Sequence, residues 1–325
     1  MTAHPADPSP LAAVASGFMA AKQLFAASEL GIFAALAGGA GTAAEVAFAA
    51  AVPERSARIL LDAMVGLGLV SYVDGSYRNT DATAAYLSGG DGLDLRPWLS
   101  FWDGLSYPHW LGYTDSMRTA EPQPFDMGGE RMGAFMSGVQ TYNSLHAQQL
   151  AAVYDFTPHR NLLDLAGLST AFLDEAHKRN PLLRGAFVST DMMLRMARGG
   201  APAGFTDFAE FHEADPLTTA VPGHYDSVLL EHVLHRFTPE ENRTILTRAR
   251  EVVDAGATLL VLDFLLDPTD GRRLDPVLAG EYLVIDGTVV YPEDEVRTWL
   301  DATGWRWVET RPVPGSPRVV IAQAV

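Results

Sequence analysis

Two histidines three positions apart, His232 and His235, follow the apolar run 227–230. An imidazole titrates near pH ~6.5, so either residue is a candidate general acid or base at working pH. From the residues alone, the preferred reading of His235 is a helix-end histidine with no chemical role. The pair shares one face at i, i+3 and could hold a metal, but no third ligand follows at telling spacing, so none is expected. His146, in Tyr142-Asn143-Ser144-Leu145-His146, is a more distant candidate. A second segment of interest is Asp164-Leu165-Ala166-Gly167-Leu168-Ser169-Thr170, a strand-to-helix connection with one glycine. Asp215, in Glu213-Ala214-Asp215-Pro216, reads by itself as a loop or cap residue. The chain has no cysteine, which excludes disulfides, thiolate nucleophiles and Cys-based metal centres.

The elements that must position these residues alternate. Short apolar runs near 162–165, 186–188, 208–212, 227–230 and 258–263 interleave with helical patterns around 170–179, 239–253 and 292–302, which gives an α/β, doubly wound, mostly parallel sheet. The runs at 305–310 and 319–322 are separated by Pro312, Pro314, Gly315 and Pro317 with no room for a helix, so the last strand should be antiparallel. This Rossmann-like domain is expected over 156–325. Ahead of it, Leu11 to Ala37 is helical in pattern and apolar nearly all round, and Thr42 with Glu45 forms a capping box. Pro53 opens a third helix, and Asp74-Gly75 marks a hairpin turn. Three helices and a hairpin over 1–95 read as an all-helical winged-helix domain. Between them, 96–155 reads as linking helices rich in aromatic residues and methionine, among them Trp102, Tyr107, Trp110, Phe125, Met127, Phe135 and Met136. Such adaptable side chains can wall an apolar pocket.

Composition narrows the partners. The 325 residues are 48% hydrophobic and carry 23 Lys and Arg against 40 Asp and Glu, a formal charge of −17. A phosphate backbone is repelled on balance, and the expected third helix offers only Arg55 and Arg58 beside Glu54 and Asp62, so no nucleic acid is expected. No secretory pattern and no uninterrupted apolar run of about 18 residues appears, so the expectation is a cytoplasmic protein with no membrane partner. The apolar amino-terminal segment needs a cover, and a homodimer is expected.

The order of parts resembles the class I small-molecule O-methyltransferases of bacterial natural-product and plant phenolic metabolism. The likeness rests on Gly17-Phe18-Met19-Ala20-Ala21-Lys22, Leu61-Asp62-Ala63-Met64-Val65-Gly66-Leu67-Gly68-Leu69-Val70, Tyr77-Arg78-Asn79-Thr80, Met117-Arg118-Thr119 and Val233-Leu234-His235. The resemblance implies a homodimer with interlocked amino-terminal domains and a small-molecule substrate. It also implies that His235 is the base removing the acceptor proton, with His232 beside it and Asp263 orienting it. Glu281 or Asp286 would be a further carboxylate, and Asn143 and His146 would lie on a substrate-contacting helix. Asp164, Gly167 and Asp215 match cofactor positions. The family's Asp-x-Gly-Gly-Gly-x-Gly loop is degenerate here: glycines are replaced at Ala166, Leu168 and Thr170, and Ser189 stands where a ribose-binding carboxylate is expected. Arg236 replaces an aspartate.

Three functions follow. The lost glycines favour an enzyme that works without S-adenosylmethionine or any other cofactor, carrying out cyclisation, isomerisation, decarboxylation or related proton transfer on a polyketide-like or aromatic molecule. The alternative is an active S-adenosylmethionine-dependent O-methyltransferase. The third is a silent partner or ligand carrier.

Overall fold

A computed structural model describes residues 6–124, 128, 130–269, 271 and 274–325. Phe125 and Met127 of the linking stretch lie outside them. The chain divides into two compact units, one of residues 1–108 with 127–141, the other of 109–126 with 142–325.

In the first unit the apolar amino-terminal pattern forms three helices, Ser9–Ala15, Gly17–Glu29 and Ile32–Ala37, rather than one. Gly31, at φ 72°, makes the second break. Thr42 and Glu45 exchange both capping-box bonds at the start of Ala43–Ala49, and Glu54–Gly66 follows Pro53. Strands β1 (Val70–Val73) and β2 (Ser76–Asn79) pair through Asp74 and Gly75, both at positive φ, the geometry of a type I′ hairpin turn. Among the described residues no single helix is long and apolar enough to cross a membrane.

The second unit is a seven-stranded sheet of order β5-β4-β3-β6-β7-β9-β8. Its strands are β3 (Asn161–Leu165), β4 (Arg184–Ser189), β5 (Ala209–Glu213), β6 (Tyr225–Glu231), β7 (Val253–Asp263), β8 (Trp305–Arg311) and β9 (Arg318–Ala324). β3 to β7 pair in parallel, and β9 is antiparallel to both β7 and β8. β3 and β6 are nearly continuous in buried apolar residues because helices cover both faces. The chain winds outward from β3 through β4 to β5, then returns to lay β6 on the other side of β3. That reversal opens a crevice at the carboxyl ends of β3 and β6, where doubly wound folds bind their ligands. The loop 166–170 and residues 231–236 both start there.

Candidate active site

Polar side chains gather at the crevice: Asp164 next to the end of β3, Glu231 at the end of β6 and Asp263 at the end of β7. Asp263 closes β7 and is fully buried. Its carboxylate accepts from His235 Nδ1 at 3.0 and 3.2 Å and from the Phe264 amide at 2.9 Å. His235 lies in a short 3₁₀ turn, Leu234–Arg236, and stacks on Tyr282 with ring centroids 4.6 Å apart. With Nδ1–H donated to the carboxylate, Nε2 keeps its lone pair and is the basic nitrogen. Burial alone would raise the Asp263 carboxyl, but the charge of His235 and its hydrogen bonds hold it below the usual carboxylate value.

His232 occupies the left-handed region at φ 53°, uncommon for a residue other than glycine. Its Nε2 lies 2.8 Å from Nδ1 of His146, which is fully buried. Burial pushes His232 down to about 3 and His146 well below its ordinary value, so both rings are neutral at working pH. Donor atoms of His232, His235 and Asp263 lie within 4.8 Å of one another, so Asp263 is the third possible metal ligand that sequence spacing did not reveal. In the structure these atoms are engaged in hydrogen bonds, His235 with Asp263 and His232 with His146.

The loop after β3 keeps a glycine-like path without its glycines. Ala166 stands at φ 61°, with its amide donating to Val188 at 2.8 Å. A left-handed alanine costs about 1–2 kcal/mol, so the loop has a clamp: Arg236 donates through Nη2 to the Ala166 carbonyl and through Nε to the His232 carbonyl at 2.7 Å. Arg236 therefore faces the loop. Glu231, at the end of β6, accepts from the Leu168 and Ser169 amides through Oε1. A Cβ on Gly167 would fall 2.1 Å from Asp164 Oδ1 and 2.6 Å from Glu231 Oε1, so this glycine is required by two carboxylates rather than by its φ. Asp164 and Glu231 are completely buried, and Asp164 Oδ1 and Oδ2 and Glu231 Oε2 have no hydrogen-bond partner among the described residues. Burial, together with their mutual repulsion at Asp164, raises both carboxyls, Glu231 to about 8.

The remaining expected residues are dispersed. Ser189 is buried at the end of β4 and accepts the Ala214 amide through its carbonyl at 3.1 Å. Asp215 caps its own turn, accepting from Leu217 N at 2.9 Å and Thr218 Oγ1 at 3.1 Å. Thr170 is buried before the helix Ala171–Arg179, and Leu168 is half-buried. Glu281 accepts from Trp110 Nε1 at 2.5 Å, Asp286 bonds Thr288, and Asn143 is buried. Trp102, Tyr107, Phe135 and Met136 belong to the first unit, whereas Trp110, Asn143, His146 and Glu281 belong to the second. Sequence reasoning missed Glu231 and Tyr282. A carboxylate at the end of the apolar run 227–230 was the available signal for Glu231.

Residues 124–306 match the O-methyltransferase domain model and residues 12–89 the O-methyltransferase dimerisation domain model. The chain is 32% identical over 314 residues to the 3-hydroxy-5-methyl-1-naphthoate 3-O-methyltransferase of Streptomyces sahachiroi, covering 93% of this chain and 91% of that protein. It is 26% identical to the tetracenomycin polyketide synthesis 8-O-methyltransferase TcmO of Streptomyces glaucescens, over 98% of each. Among solved structures, the apo form of the S-adenosylmethionine-dependent methyltransferase SibL superposes with a TM-score of 0.85 at 28% identity, over 98% of this chain and 99% of that one. The fold and site define a class I methyltransferase. This chain belongs to the O-methyltransferase family.

These relatives overturn the expectation of an enzyme without a cofactor. The physical reason is local: Ala166 holds the left-handed turn that glycine would have held, so the substitutions at 166, 168 and 170 change the side chains without unbuilding the loop.

Proposed function

We propose that this chain methylates a hydroxyl of an aromatic or polyketide-like small molecule, with S-adenosylmethionine as methyl donor. The observation that carries the reading is the His235–Asp263 pair at the crevice of a methyltransferase sheet. Asp263 fixes the tautomer that leaves Nε2 of His235 free to accept the acceptor's hydroxyl proton, and its negative charge stabilises the imidazolium that results. The neutral His146–His232 pair lies next to this base without competing for the proton.

The loop residues fit the cofactor. Three oxygens on two buried carboxyls have no hydrogen-bond partner among the described residues, and the ammonium of an amino-acid group meets that need. Asp164, Glu231 and the backbone of 166–169 would hold it, with Ser189 and Asp215 toward the nucleoside. When bound, S-adenosylmethionine supplies an electrophilic methyl group on a sulfonium. The nucleophile is the oxygen that His235 deprotonates.

The names of the relatives favour naphthoate- or polyketide-derived phenols as acceptors. A homodimer and a cytoplasmic setting complete the reading, with nucleic acid and membrane absent as partners. The proton-transfer chemistry without methyl transfer that the degenerate loop suggested is replaced by this function. The test is incubation with S-adenosylmethionine and a panel of hydroxynaphthoates and polycyclic phenols. A product heavier by one methyl group supports the reading, and no methylated product across the panel counts against it.

A further inference from the structure

The imidazole of His235 is held on an edge and on a face. Asp263 accepts from the Nδ1 edge at 3.0 Å, and Tyr282 covers one face, with ring centroids 4.6 Å apart and planes at 25°. Two neutral rings gain little from such a stack beyond contact. An imidazolium gains more, because a cation within about 6 Å of a ring centroid is drawn to the negative face of that ring. Burial and the charge of Asp263 raise the Tyr282 phenol well above its ordinary value, so this face stays an uncharged aromatic one.

The backbone that brings Tyr282 to this place is anchored by other groups. Tyr282 belongs to the helix Leu274–Ile285, where Arg318 donates to Asp275 of the first turn at 2.6 Å and Trp110 Nε1 donates to Glu281 at 2.5 Å. The segment after this helix returns to the turn that carries the histidine. There the Val289 amide donates to the His235 carbonyl at 3.3 Å, and Tyr291 Oη donates to the Phe237 carbonyl at 2.7 Å. A change of the ring at 282 therefore leaves the bonds that set the two segments side by side.

Resting on the reading of His235 as the base, we propose that Tyr282 is its positioning residue: the ring fixes the imidazole plane and stabilises the imidazolium that forms when Nε2 takes the acceptor's proton. The stack is stronger after proton transfer than before it, so it acts on turnover rather than on acceptor binding. Phenylalanine at 282 keeps the ring face and loses only the hydroxyl. Leucine keeps apolar contact and loses the face. The other titratable and charged groups around the two rings stay in place in both variants: Asp263 on β7, His232 and Arg236 on the segment of His235, and Glu281 and Asp286 near Tyr282.

The test compares full-length wild type, Tyr282→Phe and Tyr282→Leu in two measurements, with Tyr282→Met in place of the leucine variant where that one melts early. The first needs no turnover: nuclear magnetic resonance of histidine ring nitrogens across pH, with His235→Gln identifying the resonance. The midpoint at which His235 gains its second proton should fall by about half a unit to one unit in Tyr282→Leu and stay close to wild type in Tyr282→Phe. The second is initial rates of methylation. Here kcat should fall roughly threefold to tenfold in Tyr282→Leu, with acceptor KM changed less than about twofold and Tyr282→Phe close to wild type. An unmoved midpoint in the folded leucine or methionine variant overturns the proposal and leaves the stack a packing contact. A moved midpoint with undiminished kcat overturns it as well. If the midpoint moves and the wild type methylates no phenol, the effect of Tyr282 on the imidazolium stands and the methyl-transfer reading fails.

Discussion

Asp263 Oδ1 lies 3.0 Å from Nδ1 of His235, so the carboxylate that ends one parallel strand aims the imidazole carried just past its neighbour. The register of β6 on β7, Glu231 opposite Leu262, brings the two together although they are far apart in sequence. Asp263→Asn keeps the size and loses the charge, so Nδ1 no longer has to be the protonated nitrogen. We expect turnover to fall roughly a hundredfold or more with little change in acceptor KM, measured by initial rates of methylation. An unchanged rate removes Asp263 from the mechanism.

Stability should depend on pH through two opposite groups. Glu231 has a folded pKa raised to about 8 from 4.5, so its contribution is fully present below pH 4.5 and is lost as pH rises through about 8. A melting temperature that declines between about pH 5 and 8 and levels off above is expected, and Glu231→Gln should flatten that decline. An identical slope in the variant would contradict the assignment.

The histidine pair works in the other direction. His232 falls from 6.5 to about 3 in the folded protein, so its contribution is complete above pH 6.5 and is lost as pH falls toward 3. Asparagine tolerates the left-handed backbone at this position. His232→Asn should therefore lose less stability than the wild type between pH 6.5 and 4 in denaturant titrations at each pH. Equal acid sensitivity would mean that the pair is not buried and neutral in solution.

Ala166 carries backbone strain that glycine does not. At φ 61° the Cβ costs about 1–2 kcal/mol, partly offset by the greater freedom of glycine in the unfolded chain, about 0.5–1 kcal/mol. Ala166→Gly should raise stability by several tenths of a kcal/mol to about 1 kcal/mol. Calorimetric melting reads this directly, and a destabilised variant would show that the clamp by Arg236 has already removed the strain.

The amino-terminal helices leave Leu11, Val14, Phe18 and Met19 between 51% and 76% exposed. Apolar surface of this extent calls for a cover, and a second copy is the expected one. Light scattering of dilute protein should return about twice the 35.1 kDa chain mass. A monomer mass would leave these residues solvated.

Much of the architecture was readable in the sequence because its signals are local. Thr42 and Glu45 announce a helix start, Asp74-Gly75 a hairpin, and the proline-rich segment 312–317 an antiparallel last strand. The helix over 191–200 went unassigned although Thr190 at its N-cap and Asp191 in its first turn are start signals, because Ser189-Thr190-Asp191 was read for a cofactor carboxylate. The site was only half legible. The match of His235 to the family was visible, but Asp263 was tied to it only through resemblance, since strand register and not chain spacing brings them together. Loss of glycine at 166 suggested a ruined loop, because a residue type does not reveal that a neighbouring arginine can hold alanine in the same turn. Glu231 and Arg236 show why: their partners are backbone atoms more than sixty residues away.

The central claim is that His235 deprotonates an acceptor hydroxyl in a methyl transfer from S-adenosylmethionine. The most direct measurement is methylated product formed per minute by wild type and His235→Gln, with an accepted phenol at saturating cofactor across pH 6 to 9. The account predicts product with the wild type and a fall of roughly a hundredfold or more in the variant, largest at low pH, where the phenol is un-ionised and needs a base. Equal rates for the two proteins at every pH would contradict it.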